Sequence, residues 1–288
     1  RTAELQQLNG MLDAAYEDLD NTFVHAVNVF ASLLEMRGSR TGHARRVADL
    51  SKETARRLRL PDKEVRDVYL AALVHDIGTI GFPDAMLSKP VSAYTADEHQ
   101  RYRRHTIEGE TALMALPQLQ GVARIVRQHH ERVDGKGFPD GLVGTAIAMG
   151  ARIVAAASDL DELAHGALGE HHLSVERTHA MLSGGVDTHY DRAVVDTLLQ
   201  VAIDMAAAAK DDVQIEAHQL RPGMVLARAV LSSKGATLLA AGYVFDERVV
   251  KQVTAFASRE GVRLTLWVKG DAVAANAGQP APPVTVPA

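Results

Sequence analysis

The chain has 288 residues, 31 Lys+Arg against 36 Asp+Glu for a net charge of −5, and 13 His with no Cys. The acidic balance argues against a general nucleic-acid or anionic-membrane binder, and the missing thiols exclude disulfides, thiolate zinc sites and cysteine nucleophiles. No signal peptide is visible and no run approaches the ~20 apolar residues of a membrane span, so the expectation is a cytoplasmic protein of about two domains, in which imidazole and carboxylate must hold any transition metal.

Residues 2–36 contain no proline. Leu5, Leu8, Leu12, Ala15, Leu19, Thr22, Ala26 and Phe30 recur at steps of three and four, which predicts one long helix with a heptad-like seam. Two uses are open. The apolar run at 23–34 favours packing on its own domain, while Gln6, Gln7, Asn9 and Asp13 favour a parallel dimer stalk. The chain starts at Arg1, which fits either processing or a piece of a longer protein. Apolar spacing predicts helices over 48–58, 63–74, 96–116, 122–130 and 151–163, and Pro61 suits a helix start. Residues 134–144 hold four glycines and a proline and read as a structured loop. Near 213 the texture changes to short strands at 213–216, 224–231, 237–239 and 263–268. Turns at Pro222–Gly223 and Gly235 separate them, and one helix follows at 246–258. Residues 213–269 thus form a small α+β module. Residues 270–288, with four of the ten prolines, read as a disordered tail.

The histidines carry the chemistry. Asp76 follows His75 directly, and Gly78 and Gly81 come next. Adjacent helical residues point about 100° apart. Both can serve one cluster only if it holds two metals or if the helix ends there. Gly78 suits an ending, and an Asp between two cations can bridge them. His129–His130 is a second adjacent pair, but His171–His172 is another without any metal-type context, so adjacency alone proves little. What sets 129–130 apart is the run that follows, from Glu131 to Pro139.

HDIGTIGFPD at 75–84 and HHERVDGKGFPDGLVG at 129–144 resemble the HD-GYP family, a branch of the HD metal-dependent phosphohydrolases. The stretch from His105 through Gly109 to Leu113, and the stretch from Gly42 to Ala48, match two further segments of that family in order. The resemblance covers about residues 35–200. It implies a mainly α fold, an HD-domain helical bundle over 23–212, with residues 1–22 as a linker or coiled-coil helix and a small C-terminal β-rich module. It implies the metal ligands His43, His75, Asp76, His105, His129 and His130, with Asp76 bridging and helping to orient the attacking water. The family's last ligand is an Asp near a helix end. An ungapped alignment puts Ser158 there; Asp159, one step on, is the expected ligand, and Asp161 matches the family's second Asp. Some members hold a third metal through a Glu four residues before the first His. That place is Ser39, so two divalent ions are expected, of Fe, Mn, Ni or Zn. The chemistry asks for them, because bringing hydroxide to phosphorus at neutral pH needs cations that lower the pKa of water and offset phosphate charge.

The family's substrate is cyclic di-GMP, a bacterial second messenger opened to pGpG and sometimes to GMP. The resemblance therefore implies a cyclic di-GMP phosphodiesterase. Thr79 stands where the family has Lys, and residues 160–174 carry no Lys or Arg. Each such charge-assisted phosphate contact is worth ~1.5–3 kcal/mol. Slow turnover is expected, with Lys89, Lys136 and Arg152 as candidate substitutes in substrate binding. The alternatives are a catalytically weak or inactive module that binds metal and cyclic di-GMP and signals through contacts, and a phosphohydrolase for another nucleotide. Phe138 replaces a family Tyr and is assigned no catalytic role. Glu35 reads as a helix-surface residue, Arg45–Arg46 as a solvated face, and His99, His165, His179, His189 and His218 as surface or core histidines. The C-terminal module resembles one appended to response-regulator members. That implies a two-component output protein with a receiver domain upstream, a GGDEF-type or receiver-domain partner, and a homodimer through the N-terminal helix.

Overall fold

The computed structural model describes residues 2–35, 37, 42–165, 173–228, 230–231, 237–239, 242–261 and 263–270. Ser39, His171–His172, the turn at Gly235 and the tail at 271–288 lie outside them. The chain divides into two units, Arg1–Ala202 and Ile203–Ala288. Among the described residues no helix is long and apolar enough to cross a membrane.

The first unit is helical: α1 Thr2–Glu35, α2 His43–Arg57, α3 Asp62–Val74, α4 Asp84–Leu87, α5 Ala96–Met114, α6 Gln120–Gln128, α7 Met149–His165, α8 Val175–Gly184 and α9 Arg192–Ala208, whose end belongs to the second unit. Two helices are buried nearly all round. In α3 every residue from Asp67 to Val74 is buried. In α7 Ala151, Ile153, Val154, Ala156, Ala157, Ser158 and Leu160 are buried. A helix that is apolar on every side belongs in the middle of a bundle, and α2, α6 and α7 pack around α3. Asp62 and Glu64 in the first turn of α3 suit its positive end. A Thr95–Glu98 capping box starts α5.

The seam of α1 does not face this core. Phe23, Val24 and Val27 pack against the core, and Ala31 is part of it, while Leu12, Leu19 and Phe30 are 51%, 66% and 40% exposed. The second half of α1 thus docks by a face offset from the heptad positions, and the heptad positions from Leu12 to Phe30 are exposed.

α3 stops at Val74, and a 3-10 turn, Ile77–Gly81, crosses to α5. The crossing needs glycine. A Cβ on Gly78 would lie 2.0 Å from the carbonyl oxygen of His105 and 2.9 Å from the amide of Gly109. The turn after His75 is thereby pressed against the backbone of His105.

In the second unit, β1 Val213–Glu216 pairs antiparallel with β4 Thr265–Val268, and β2 Val230–Leu231 pairs antiparallel with β3 Thr237–Leu239. The single strand expected at 224–231 is interrupted. Val225 and Leu226 form isolated bridges to Val244 and Val268, and the amides of Leu226 and Ala227 donate to different partners, Tyr243 and Trp267. The helix α10, Glu247–Glu260, is capped by Asp246, which accepts from the Val249 amide at 2.7 Å, and Gly261 ends it at φ 61°. Ile215, Leu220, Met224, Leu226, Phe245, Leu266 and Val268 make its core.

Gly78→Ala is expected to destabilise the first unit by about 1–3 kcal/mol or more, because the contact is with backbone that cannot rotate away. A urea denaturation midpoint unchanged from the parent would contradict the close approach.

Candidate metal centre

The helix ends deliver the histidines. His43 opens α2, His75 follows the last residue of α3, and His129–His130 follow the last residue of α6. His105 comes from the middle of α5. The rings form one cluster, with centroids of His43–His75, His75–His129, His105–His129 and His129–His130 between 4.1 and 5.3 Å apart.

What lies behind each ring fixes what it offers in front. Nδ1 of His75 is 2.8 Å from the carbonyl of Ala72, and Nδ1 of His129 is 2.6 Å from that of Val126. Nδ1 of His105 bonds the carbonyl of Tyr102, and Nδ1 of His43 lies 2.8 Å from Asp161 Oδ2. A carbonyl or carboxylate oxygen only accepts, so each Nδ1 carries the proton. Each Nε2 of the neutral ring is then a lone pair aimed into the cluster. Nε2 of His105 and Nε2 of His129 face each other at 3.4 Å. Two acceptors at that distance repel unless something positive sits between them, so these residues suit a divalent cation. Protonation is opposed by burial. Burial pushes the His129 and His130 pKa values well below the usual histidine value, with neighbouring histidines adding to it. His43 is also lowered by burial, against the pull of Asp161.

The donors fall into two groups, His105–His129–His130 and His43–His75–Asp76. Asp76 joins them. Its Oδ1 is 3.5 Å from His105 Nε2, and its Oδ2 is 3.7 Å from His75 Nε2. Its side chain is 32% exposed, whereas His43, His75, His105 and His129 are all buried. Asp76 and the half-buried His130 are therefore the parts of the cluster that a solute can reach. A cavity opens beside Asp76, lined among others by Glu35, Arg37, Thr79, Ile80, Tyr94 and Tyr102.

The expected last ligand, Asp159, lies in neither group. Its carboxylate accepts from the Tyr190 hydroxyl at 2.5 Å, and burial raises its pKa despite that bond. Ser158 is the residue on the cluster side, its hydroxyl 3.4 Å from His43 Nε2. Asp161 backs His43 and is gripped by Arg46, Nε at 2.6 Å and Nη2 at 2.9 Å. Burial raises the Asp161 pKa, but the bonds to His43 and Arg46 outweigh it and hold the carboxyl ionised.

Several supports escape a sequence reading. Arg46 belongs to this network and not to an idle solvated face, and Arg45 donates to Asn28 Oδ1 at 2.8 Å. Glu35 is not an idle surface residue. It accepts from the amides of Gly42 at 2.8 Å and Ala44 at 2.5 Å, on either side of His43. Arg37 bonds the carbonyls of Ile80 at 2.5 Å and Phe82 at 2.9 Å and the Asp84 carboxylate at 2.8 Å. Glu131 is buried and accepts from the amides of Asp140, Gly141 and Leu142 at 2.6, 3.1 and 2.9 Å. The loop it gathers sets the Phe138 ring on His130, centroids 4.7 Å apart and nearly parallel. The Arg103 guanidinium lies 5.1 Å from the centre of that ring. A Glu directly after a histidine pair, ahead of a glycine-rich run, was the one available signal for Glu131.

None of the three cations expected to meet substrate lines the cavity beside Asp76. Lys89 is paired with Glu98 at 2.7 Å. Arg152 is paired with Asp191 at 2.6 Å and bonds the Ile147 carbonyl. Lys136 is exposed, with its amide tied to Asp134. Thr79 turns its hydroxyl to the Asp76 carbonyl at 2.7 Å.

A family model for the HD domain matches residues 28–194. A probable cyclic di-GMP phosphodiesterase of Vibrio cholerae is 35% identical over 215 residues, 68% of this chain and 48% of that protein. The cyclic di-GMP phosphodiesterase response regulator RpfG of Xanthomonas campestris is 33% identical over 196 residues, 67% of this chain and 52% of that protein. A 3'3'-cGAMP-specific phosphodiesterase of Vibrio cholerae is 33% identical over 151 residues, 52% of this chain and 33% of that protein. The chain spans about half the length of the first two.

Two outcomes are expected. Asp161→Asn, which removes the charge behind His43, weakens metal affinity by ~10–100-fold, as read by competition with a chromophoric chelator. Metal-free protein loses stability as pH falls from 7 to 5.5. The unfolded chain takes up protons near the ordinary histidine pKa of about 6.5, whereas folded His43, His129 and His130, with lowered pKa values, refuse them. A urea midpoint that rises over that interval would contradict it.

Proposed function

The chain belongs to the HD domain family, and we propose that it is a metal-dependent phosphodiesterase that opens cyclic di-GMP to pGpG. One observation carries the reading. Asp76, half-exposed, turns one oxygen toward each of two groups of inward-facing donors. We take His43, His75 and Asp76 as holding one divalent ion and His105, His129, His130 and Asp76 as holding another, of Fe, Mn, Ni or Zn. Ions there would supply the Lewis acidity that lowers the pKa of water and offsets the charge on phosphate oxygens.

The chain's own residues do the rest. We assign to Asp76, an acceptor that reaches both donor groups, the orienting of the attacking water, and the buried imidazoles keep their protons on Nδ1 and so present lone pairs. Tyr94 and Tyr102, whose rings lie 5.9 Å apart beside the cavity, offer faces on which a nucleobase stacks. Lys89 and Arg152 are held in ion pairs, so we assign a phosphate contact to Arg103, whose guanidinium lies 5.1 Å from the centre of the Phe138 ring that stacks on His130. Relatives named for cyclic di-GMP hydrolysis at 33–35% identity support the substrate. A relative named as specific for 3'3'-cGAMP makes that dinucleotide the competitor to test. The likeness to a response regulator supports a role as output domain of a cytoplasmic two-component regulator. The outward heptad face of α1, with Leu12 and Leu19 exposed, supports a homodimer through that helix.

A second reading, a module that binds metal and cyclic dinucleotide without useful turnover, is favoured by Thr79, which brings no cation to the cavity. The deciding experiment incubates Mn- or Fe-loaded protein with cyclic di-GMP and with 3'3'-cGAMP and follows products by chromatography. Formation of pGpG is expected, lost at least ~100-fold in Asp76→Ala. Tight binding without product would replace the enzyme by the binding module, and turnover of 3'3'-cGAMP alone would move the substrate. For the dimer, Leu12→Glu with Leu19→Glu is expected to halve the mass seen by light scattering, whereas an unchanged mass would place the interface elsewhere.

A further inference from the structure

The two donor groups that meet at Asp76 are not equally furnished. Three imidazoles, of His105, His129 and His130, lie on one side, and two, of His43 and His75, on the other. The further buried polar group at His43 is the Ser158 hydroxyl, 3.4 Å from Nε2. That nitrogen is the one aimed into the centre, because Asp161 holds Nδ1. The carboxylates adjoining Ser158 in sequence are both engaged elsewhere. Asp159, about 100° further round the helix, is bonded to Tyr190. Asp161 is bonded to His43 Nδ1 and to Arg46.

We infer that Ser158 is the fourth donor at the His43 position, and that its neutral hydroxyl makes this position the weaker of the two, so that the centre fills stepwise. The inference rests on the two-ion reading above. A hydroxyl brings a dipole where a carboxylate would bring a full charge, and in a buried site that charge is poorly screened. Asp76 is then the one anionic donor shared by two dications. The His105–His129–His130 position fills first, and the His43 position fills only as free metal rises. The fully loaded centre therefore tracks the concentration of free divalent ion, a property set by one side chain of α7.

The test is metal binding to the full chain, without substrate. Chelator-stripped parent, Ser158→Asp and Asp159→Asn are titrated with Mn2+ in a calorimeter, and metal retained after gel filtration is counted by mass spectrometry. The parent is expected to show two classes of site at least ~10-fold apart in Kd and to retain about one ion. Ser158→Asp is expected to tighten the weaker class at least ~10-fold and to retain about two, while Asp159→Asn titrates as the parent does. Two equal tight sites in the parent, or a weak class altered by Asp159→Asn and not by Ser158→Asp, would overturn the inference and leave the enzyme reading standing. No bound ion in any protein would overturn both. Should Ser158→Asp fail to fold by circular dichroism, the parent and Asp159→Asn titrations decide alone.

Discussion

An imidazole held from behind by an acceptor has its front decided. Three backbone carbonyls, of Ala72, Tyr102 and Val126, and one carboxylate, of Asp161, take the Nδ1 protons of His75, His105, His129 and His43. The opposite nitrogens are thereby committed as lone pairs before anything binds. Two of those carbonyls lie in the last turn of a helix, where the intrahelical ladder leaves carbonyls without partners. The ends of α3 and α6 thus satisfy an orphaned carbonyl and aim a ligand with one hydrogen bond. This ties the centre to the lengths of the helices: extending either by a residue would turn its histidine by about 100°.

Bringing those ends together is a packing problem. The 3-10 turn after Asp76 reaches the Asp76 carboxylate to His105 only because Gly78 lies on the α5 backbone. The entry of α2 is set by Glu35 at the end of α1, whose carboxylate takes the amides flanking His43. Two residues later Arg37 takes the carbonyls of Ile80 and Phe82. The end of α1 therefore touches both segments that carry the His43 group. On the opposite side Glu131 gathers a glycine-rich loop by three amide bonds and lays Phe138 on His130. These supports are charged side chains bonded to backbone. Such bonds hold a segment in place with more force than neutral ones.

The polarity of the site follows from the same engagements. Its donors are mostly imidazoles, and the carboxylates nearby are spoken for: Asp161 by Arg46 and His43, Asp159 by Tyr190. A donor set so poor in oxygen suits borderline transition metals over Mg2+ or Ca2+. The cations nearby are similarly engaged, with Arg37, Lys89 and Arg152 each in an ion pair. Under the proposed activity, phosphate affinity would come from the metals and from residues at the rim, which is the electrostatic content of the expectation of slow turnover.

The sequence by itself determined the helical class, the change of texture near 213, and the residue types of the centre. Those depend on local signals: apolar spacing, glycine and proline punctuation, and four motifs quoted in order. It also raised the choice between Ser158 and Asp159 without resolving it, since two neighbours on one helix differ only in which way they point. The direction in which each points is set by the packing of α7 against α2 and α3 and by the position of Tyr190, far along the chain. For the same reason Glu35 and Arg46 read as ordinary surface charges. Each acts on a backbone group or a side chain that only the tertiary fold brings near, and Arg46 and Asp161, 115 residues apart, carry no mark of each other in the sequence. What residue types were available was written locally. Which nitrogen, which oxygen and which neighbour would face inward was decided by how the helices pack.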